Sequence, residues 1–158
     1  ERKLAATEDN LMRIGDKVIA SGVSQWCMLN MDTRQAADMS MMKEAHDKFV
    51  VAEPSPIAAP ARLRPVEATA HISRPVVYSD IDFNSHMNTM RYIALMVDML
   101  DLELIKSNRT FRLDVHFMNE CLYGQMLSVG MKCVDNQTLF EIAREDGTVA
   151  CRAAFTWR

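Results

Sequence analysis

A chain of 158 residues, 49% hydrophobic and 25% charged, suits one ordinary domain, or one small domain with part of another. Its net charge of −3, with no dense Lys/Arg block, argues against a nucleic-acid partner. No run approaches the roughly 18 apolar residues that a membrane-spanning helix needs.

The start, Glu1-Arg2-Lys3-Leu4-Ala5-Ala6-Thr7-Glu8, has no apolar core of a secretory signal. It also has no methionine, so the chain reads as beginning inside a longer gene product. Cys27, Cys121, Cys133 and Cys151 form no C-x-x-C pair, which points away from zinc and leaves no metal or cofactor implied. They read as mostly buried, reduced thiols, and so favour the cytoplasm. Thirteen methionines are many. They read first as flexible core filler, and second as a deformable lining for an alkyl chain.

In chain order, residues 17–31 are expected to form a strand with Trp26, Cys27, Met28 and Leu29 as its apolar end. After a turn at Asp32-Thr33-Arg34, residues 35–50 have helix-forming composition, with Ala36, Met39, Met42 and Ala45 near helical spacing. Four of the five prolines fall in 53–65. Proline fixes φ and removes a donor, so this stretch reads as a semi-rigid linker. It divides a partial domain (1–52) from a complete one (66–158).

Beyond the linker a short strand is expected at 76–78. Residues 87–102 then carry Met90, Ile93, Leu95, Met96, Val97, Met99, Leu100 and Leu102 around almost the whole circumference. Such a helix is expected to be buried on nearly every side. Four strands follow. In 111–117, Phe111, Leu113, Val115 and Phe117 alternate with Arg112, Asp114 and His116. In 127–133, Leu127, Val129, Met131 and Cys133 alternate with Ser128, Gly130 and Lys132. Strands 138–144 and 149–157 complete the set, with polar hairpin turns between the last three. One apolar helix followed by a β-meander predicts an α+β fold, an antiparallel sheet wrapped around that helix.

Polar side chains crowd between strand and helix, in Ser79-Asp80-Ile81-Asp82-Phe83-Asn84-Ser85-His86-Met87-Asn88. The loop leads into a helix N-terminus, where unpaired N–H groups favour developing negative charge. Asn84 or His86 could donate to an oxyanion, and Asp82 could orient the Asn84 amide. The plainer reading makes these residues turn and cap formers, and for Asn88 and Thr89 that reading is preferred. At the end of the first long strand stands Met118-Asn119-Glu120-Cys121, where Glu120 could act as general base for water. A Cys121/His86/Asn84 nucleophilic set ranks lower, because cysteine is often inert core. Strand parity would turn Glu120 away from the helix unless the strand bulges at Met118–Asn119.

At these residues the chain resembles the acyl-acyl carrier protein thioesterase family, bacterial and plant plastid members alike. Residues 78–93, Tyr-Ser-Asp-Ile-Asp-Phe-Asn-Ser-His-Met-Asn-Thr-Met-Arg-Tyr-Ile, resemble its strand, D-x-N-x-H and helix signature. Asn119-Glu120-Cys121 resembles its second motif, and Phe155-Thr156-Trp157-Arg158 is similar to its close. The resemblance implies a hot-dog fold in a double hot-dog chain, with the C-terminal domain complete. Residues 15–32 are similar to the closing strands of the N-terminal hot-dog domain, whose opening strand and helix are not in the sequence.

It further implies that Asp82, Asn84, His86 and Glu120 are catalytic, with Cys121 a lesser candidate nucleophile. Met118 and Asn119 depart from the basic residues common in plant members, so a plant substrate range is not carried over. The implied activity is hydrolysis of fatty acyl-carrier-protein thioesters. The acidic carrier would be met by Arg62, Arg64, Arg74, Arg91 and Arg109, and a homodimer is a candidate assembly. The alternatives are an acyl-CoA thioesterase of the same fold and a non-catalytic acyl-binding module.

Overall fold

The computed structural model describes residues 6–33, 35–42, 44, 47–48, 53–108 and 110–158. They fall into two compact units, 1–60 and 61–158.

The first unit contains an antiparallel hairpin of β1 (Ala6–Ile14) and β2 (Lys17–Trp26). Its two-residue turn puts Gly15 at φ 57°, as hairpins with glycine in the first turn position require. The expected strand therefore stops at Trp26 and gains an unforeseen partner in β1. Beyond it, the Asn30 carboxamide oxygen accepts the N–H groups of Asp32 (3.0 Å) and Thr33 (2.8 Å) and closes a turn. The helix expected over 35–50 does not begin at Gln35: Ala36 bridges Leu29, and Ser40–Met42 is a single 3-10 turn. Glu44, Asp47 and Lys48 are helical, and the rest of that expectation lies outside the described residues.

The second unit is a five-stranded antiparallel sheet with a helix on one face. Its elements are β3 (Ala70–Pro75), a 3-10 turn (Tyr78–Asp80), α1 (Thr89–Val97), α2 (Leu102–Ser107), β4 (Phe111–Phe117), β5 (Met126–Val134), β6 (Gln137–Arg144) and β7 (Val149–Trp157). Strand order is β3-β5-β6-β7-β4. The four C-terminal strands lie within one residue of their expected bounds. The strand expected at 76–78 instead occupies Ala70–Pro75, at the sheet edge, where the proline's missing donor is tolerated.

Period-two alternation sends Leu127, Val129, Phe140, Ile142, Ala153 and Phe155 to one face, where they bury against Tyr92, Leu95 and Met96 of α1. Each large aliphatic or aromatic side chain so buried contributes about 1.5–3 kcal/mol. Phe155 stacks on Trp157 with centroids 5.5 Å apart, and Phe111 packs on both.

Two expectations about the helix fail. It ends at Val97, about 14 Å long at 1.5 Å per residue. A separate helix, α2, starts where the Asp101 carboxylate accepts the Glu103 N–H at 2.7 Å. Nor is α1 buried all round, since Met90 is 64% exposed and Val97 37%. The cysteines also divide: Cys121 and Cys151 are buried, while Cys27 and Cys133 are exposed, all as free thiols.

The end of the proline-rich stretch lies along the other face of the sheet. The Ala61 N–H donates to Asp114 at 3.1 Å, and the Val66 N–H donates to Glu141 at 3.4 Å. Each carboxylate is itself held by an arginine, Asp114 by Arg112 (2.8 Å) and Glu141 by Arg152 (2.6 Å). Hydrogen bonds from Arg112, aided by the Ala61 N–H, hold the Asp114 carboxyl below its usual range despite burial. Asp114→Ala takes the carboxylate from Arg112 and removes one of the two anchors of this stretch, leaving the bond from Val66 to Glu141. It is expected to cost about 1–3 kcal/mol, checked by urea unfolding, and to speed proteolytic cleavage within 53–66. An unchanged cleavage rate would show that the stretch does not depend on this anchor.

Candidate functional site

The Asp82–His86 loop is folded by its own hydrogen bonds. The Asp82 N–H donates to the His86 carbonyl (2.9 Å), and the Ser85 N–H donates to the Asp82 carbonyl (3.0 Å). The Asp82 carboxylate accepts the Asn84 main-chain N–H at 2.8 Å, and Ser85 takes φ 64°. The carboxylate therefore orients the backbone at Asn84 rather than its side-chain amide. Phe83, at the turn, is 94% exposed.

The loop then joins the segment bearing Glu120. His86 bridges Leu122, and the Met87 N–H donates to the Cys121 carbonyl at 2.8 Å. Both Met118 and Asn119 donate main-chain N–H groups to the single carbonyl of Ala150, at 2.9 and 3.1 Å. Two residues facing one is the geometry of a bulge, and it falls where parity required one. Past it, Glu120 comes round to the histidine: Oε2 lies 3.3 Å from His86 Nε2. Glu120 is half exposed and His86 about a third, so solvent reaches the pair.

Cys121, next in sequence, is fully buried. Burial raises its thiol pKa, outweighing the opposing effects of Tyr92 and Arg144. A buried neutral thiol is a poor nucleophile. At the mouth of α1, the Asn88 side chain accepts the Met90 N–H at 2.8 Å, so one donor of the helix N-terminus is already used.

Three residues of this neighbourhood were not singled out by sequence. Asp80 is fully buried, accepting the Val77 N–H (2.9 Å), Arg91 Nε (2.9 Å) and the Arg74 guanidinium. Arg74 and Arg91, candidates for meeting a carrier, are thus tied to Asp80; Arg109 lies outside the described residues. Tyr92 accepts the Cys121 N–H at 3.0 Å. Arg144 donates to the Glu120 carbonyl at 3.4 Å and borders a groove of about 370 Å³ with Gln125, Met126, Glu145 and Asp146. Tyr92 and Arg144 find their partners far along the chain, which no local pattern marks, whereas Asp80 has Arg74 and Arg91 on either side of it in sequence, and a carboxylate that becomes buried needs such cations.

Among the described residues, no three His, Cys, Asp or Glu side chains gather as a metal-binding group, and no helix is long and apolar enough to cross a membrane.

Comparison with known proteins gives consistent findings. The family model for the acyl-ACP thioesterase C-terminal domain matches residues 64–158. Oleoyl-acyl carrier protein thioesterase 1, chloroplastic, of Arabidopsis thaliana is 22% identical over 135 residues, 77% of this chain and 37% of that protein. An acyl-ACP thioesterase structure from Bacteroides thetaiotaomicron is 26% identical, with TM-score 0.79, covering all of this chain and 64% of that one. The 12:0-ACP thioesterase from Umbellularia californica shares the fold at 17% identity and TM-score 0.76, over 98% of this chain and 63% of that one. The hot-dog class is thereby established. This chain spans little more than a third of the Arabidopsis protein.

Proposed function

This chain belongs to the acyl-acyl carrier protein thioesterase family, and from that membership we propose that it hydrolyses fatty acyl-carrier-protein thioesters to free fatty acid and carrier. The observation that carries the reading is the 3.3 Å approach of Glu120 to His86 on a solvent-reached rim. We read Glu120 as the base. It takes a proton from water as the water oxygen bonds to the thioester carbonyl carbon. His86 and the exposed Asn84 amide hold the carbonyl oxygen as it gains charge, in a loop whose turn Asp82 fixes. When the C–S bond breaks, the protonated Glu120 returns its proton to the departing thiolate. The strands before the linker are read as part of an N-terminal hot-dog domain, and the reaction is placed in the cytoplasm.

The test is release of free thiol from fatty acyl-carrier-protein substrates and, side by side, from acyl-CoA. Turnover of the carrier substrates supports the reading; turnover of acyl-CoA alone would replace the substrate; none on either panel would sink the activity.

Water attack also predicts that Cys121 is dispensable to the chemistry. Cys121→Ala is expected to keep kcat within a few-fold, losing about 1 kcal/mol of stability for the vacated sulfur volume. A covalent acyl-cysteine trapped by mass spectrometry, together with an inactive Cys121→Ala variant, would instead assign attack to the thiol.

A further inference from the structure

We propose that Tyr92 is a positioning residue: acting through the main chain of Cys121, its buried hydroxyl fixes Glu120 against His86. The inference rests on Glu120 being the base of the proposed hydrolysis. Glu120 stands beyond the last ladder pair of β4, Phe117 with Cys151, and beyond the bulge on Ala150. Regular pairing with β7 therefore no longer dictates where its side chain goes. The adjoining residue, Cys121, is anchored instead at both of its main-chain polar groups. Its N–H donates to the Tyr92 hydroxyl at 3.0 Å, and its carbonyl accepts the Met87 N–H at 2.8 Å.

The second anchor comes from the residue after His86, so the Cys121 backbone is clamped between the histidine's own loop and the first turns of α1. Tyr92 suits the task. It is 4% exposed, and its ring meets Phe117 edge-on, with centroids 5.7 Å apart. Packing thus fixes the ring, and the ring presents the oxygen. Tyr92 also lies four residues beyond the Asn88 cap, on the same helix face one turn in. The hydroxyl and the Met87 N–H together tie Cys121, and with it the adjoining Glu120, to the helix end next to His86. A phenylalanine would keep the ring contact and delete only the hydroxyl.

Tyr92→Phe in the full chain is expected to lower kcat about tenfold to a hundredfold with KM within about twofold, the signature of a displaced catalytic group. Glu120→Gln and the double variant are measured alongside. Once the base is gone its placement no longer matters, so the double variant is expected to be no slower than Glu120→Gln alone. Ile142→Val, in the same core but linked to neither residue, is expected to lower Tm without lowering kcat. A folded Tyr92→Phe with wild-type kcat, or a loss that adds in full to that of Glu120→Gln, would overturn the inference. If Glu120→Gln itself turns over normally, the base assignment falls first and takes this inference with it. Should Tyr92→Phe not fold, 3-fluorotyrosine at position 92 keeps the ring and weakens the acceptor. A lower kcat then supports the role, and an unchanged one ends it.

Discussion

Glu120→Gln is expected to reduce kcat on the order of 10²–10⁴-fold, the range that a positioned general base contributes. The amide copies the shape of the carboxylate and its reach to His86, but it cannot take a proton from water. Glu120 is half exposed, so its replacement leaves no buried charge behind. Stability is therefore expected to stay within about 0.5 kcal/mol of the parent. That separation of rate from stability makes the variant informative: thermal unfolding should be superimposable while thiol release collapses. Retention of more than about a tenth of the parental rate would mean that no base of ordinary strength sits at position 120. The deeply buried Cys121 could not readily take its place, since a nucleophile must reach both solvent and substrate.

How much of this geometry sequence alone discloses depends on whether the cause is local. β4 is legible because Phe111, Leu113, Val115 and Phe117 alternate with polar residues, the period of a strand, although its one buried residue is the polar Asp114; in β6 the same period does bury one face, with Thr138, Phe140 and Ile142 inward. β1 carries no such mark, since Ala6-Thr7-Glu8-Asp9-Asn10 is largely polar and becomes a strand by pairing with β2. Apolar density overextends the helix, because it says nothing about capping. Asp101 starts a second helix within an apolar run, and that decision is made by one carboxylate and one N–H. The D-x-N-x-H loop was visible as a concentration of polar residues, yet Asp82 proves to act on a main-chain N–H. Glu120 could be placed only conditionally: parity sent it away from the helix, and an extra residue at Met118–Asn119, shared on the Ala150 carbonyl, brings it back. Tyr92 is invisible by pattern, because any apolar-faced helix welcomes a tyrosine and only tertiary structure reveals what its hydroxyl holds.

Asp80→Ala is expected to be the most destabilising of these substitutions, at about 3 kcal/mol in urea or thermal unfolding. Asp80 is fully buried, and its carboxylate collects Arg74 from the end of β3, the Val77 N–H from the 3-10 turn and Arg91 from the first turn of α1. Its carbonyl also accepts the Asn88 N–H at 2.8 Å. Three elements that frame the His86 loop thus meet on one residue. Removing the carboxylate strands an N–H and two cations. Arg74 is 27% exposed and Arg91 41%, so water relieves part of the cost, which sets the figure at the low end for a broken buried pair. Asp80→Asn keeps the shape and an acceptor for Val77, and should lose about half as much. The pH dependence separates charge from packing. Burial alone would raise the Asp80 pKa, but the Val77 N–H, Arg91 and Arg74 outweigh it and hold the carboxyl below its ordinary 3.8. A carboxyl depressed in the folded state binds its proton more readily when unfolded. Its stabilisation is therefore complete above the unfolded pKa and lost as pH falls through the folded one. The gap between parent and Asp80→Asn should stay level from neutral pH to about 4 and narrow below that. A gap that widens on acidification would mean that burial wins over the arginines, and Asp80 could not then be the charged post to which the loop is tied.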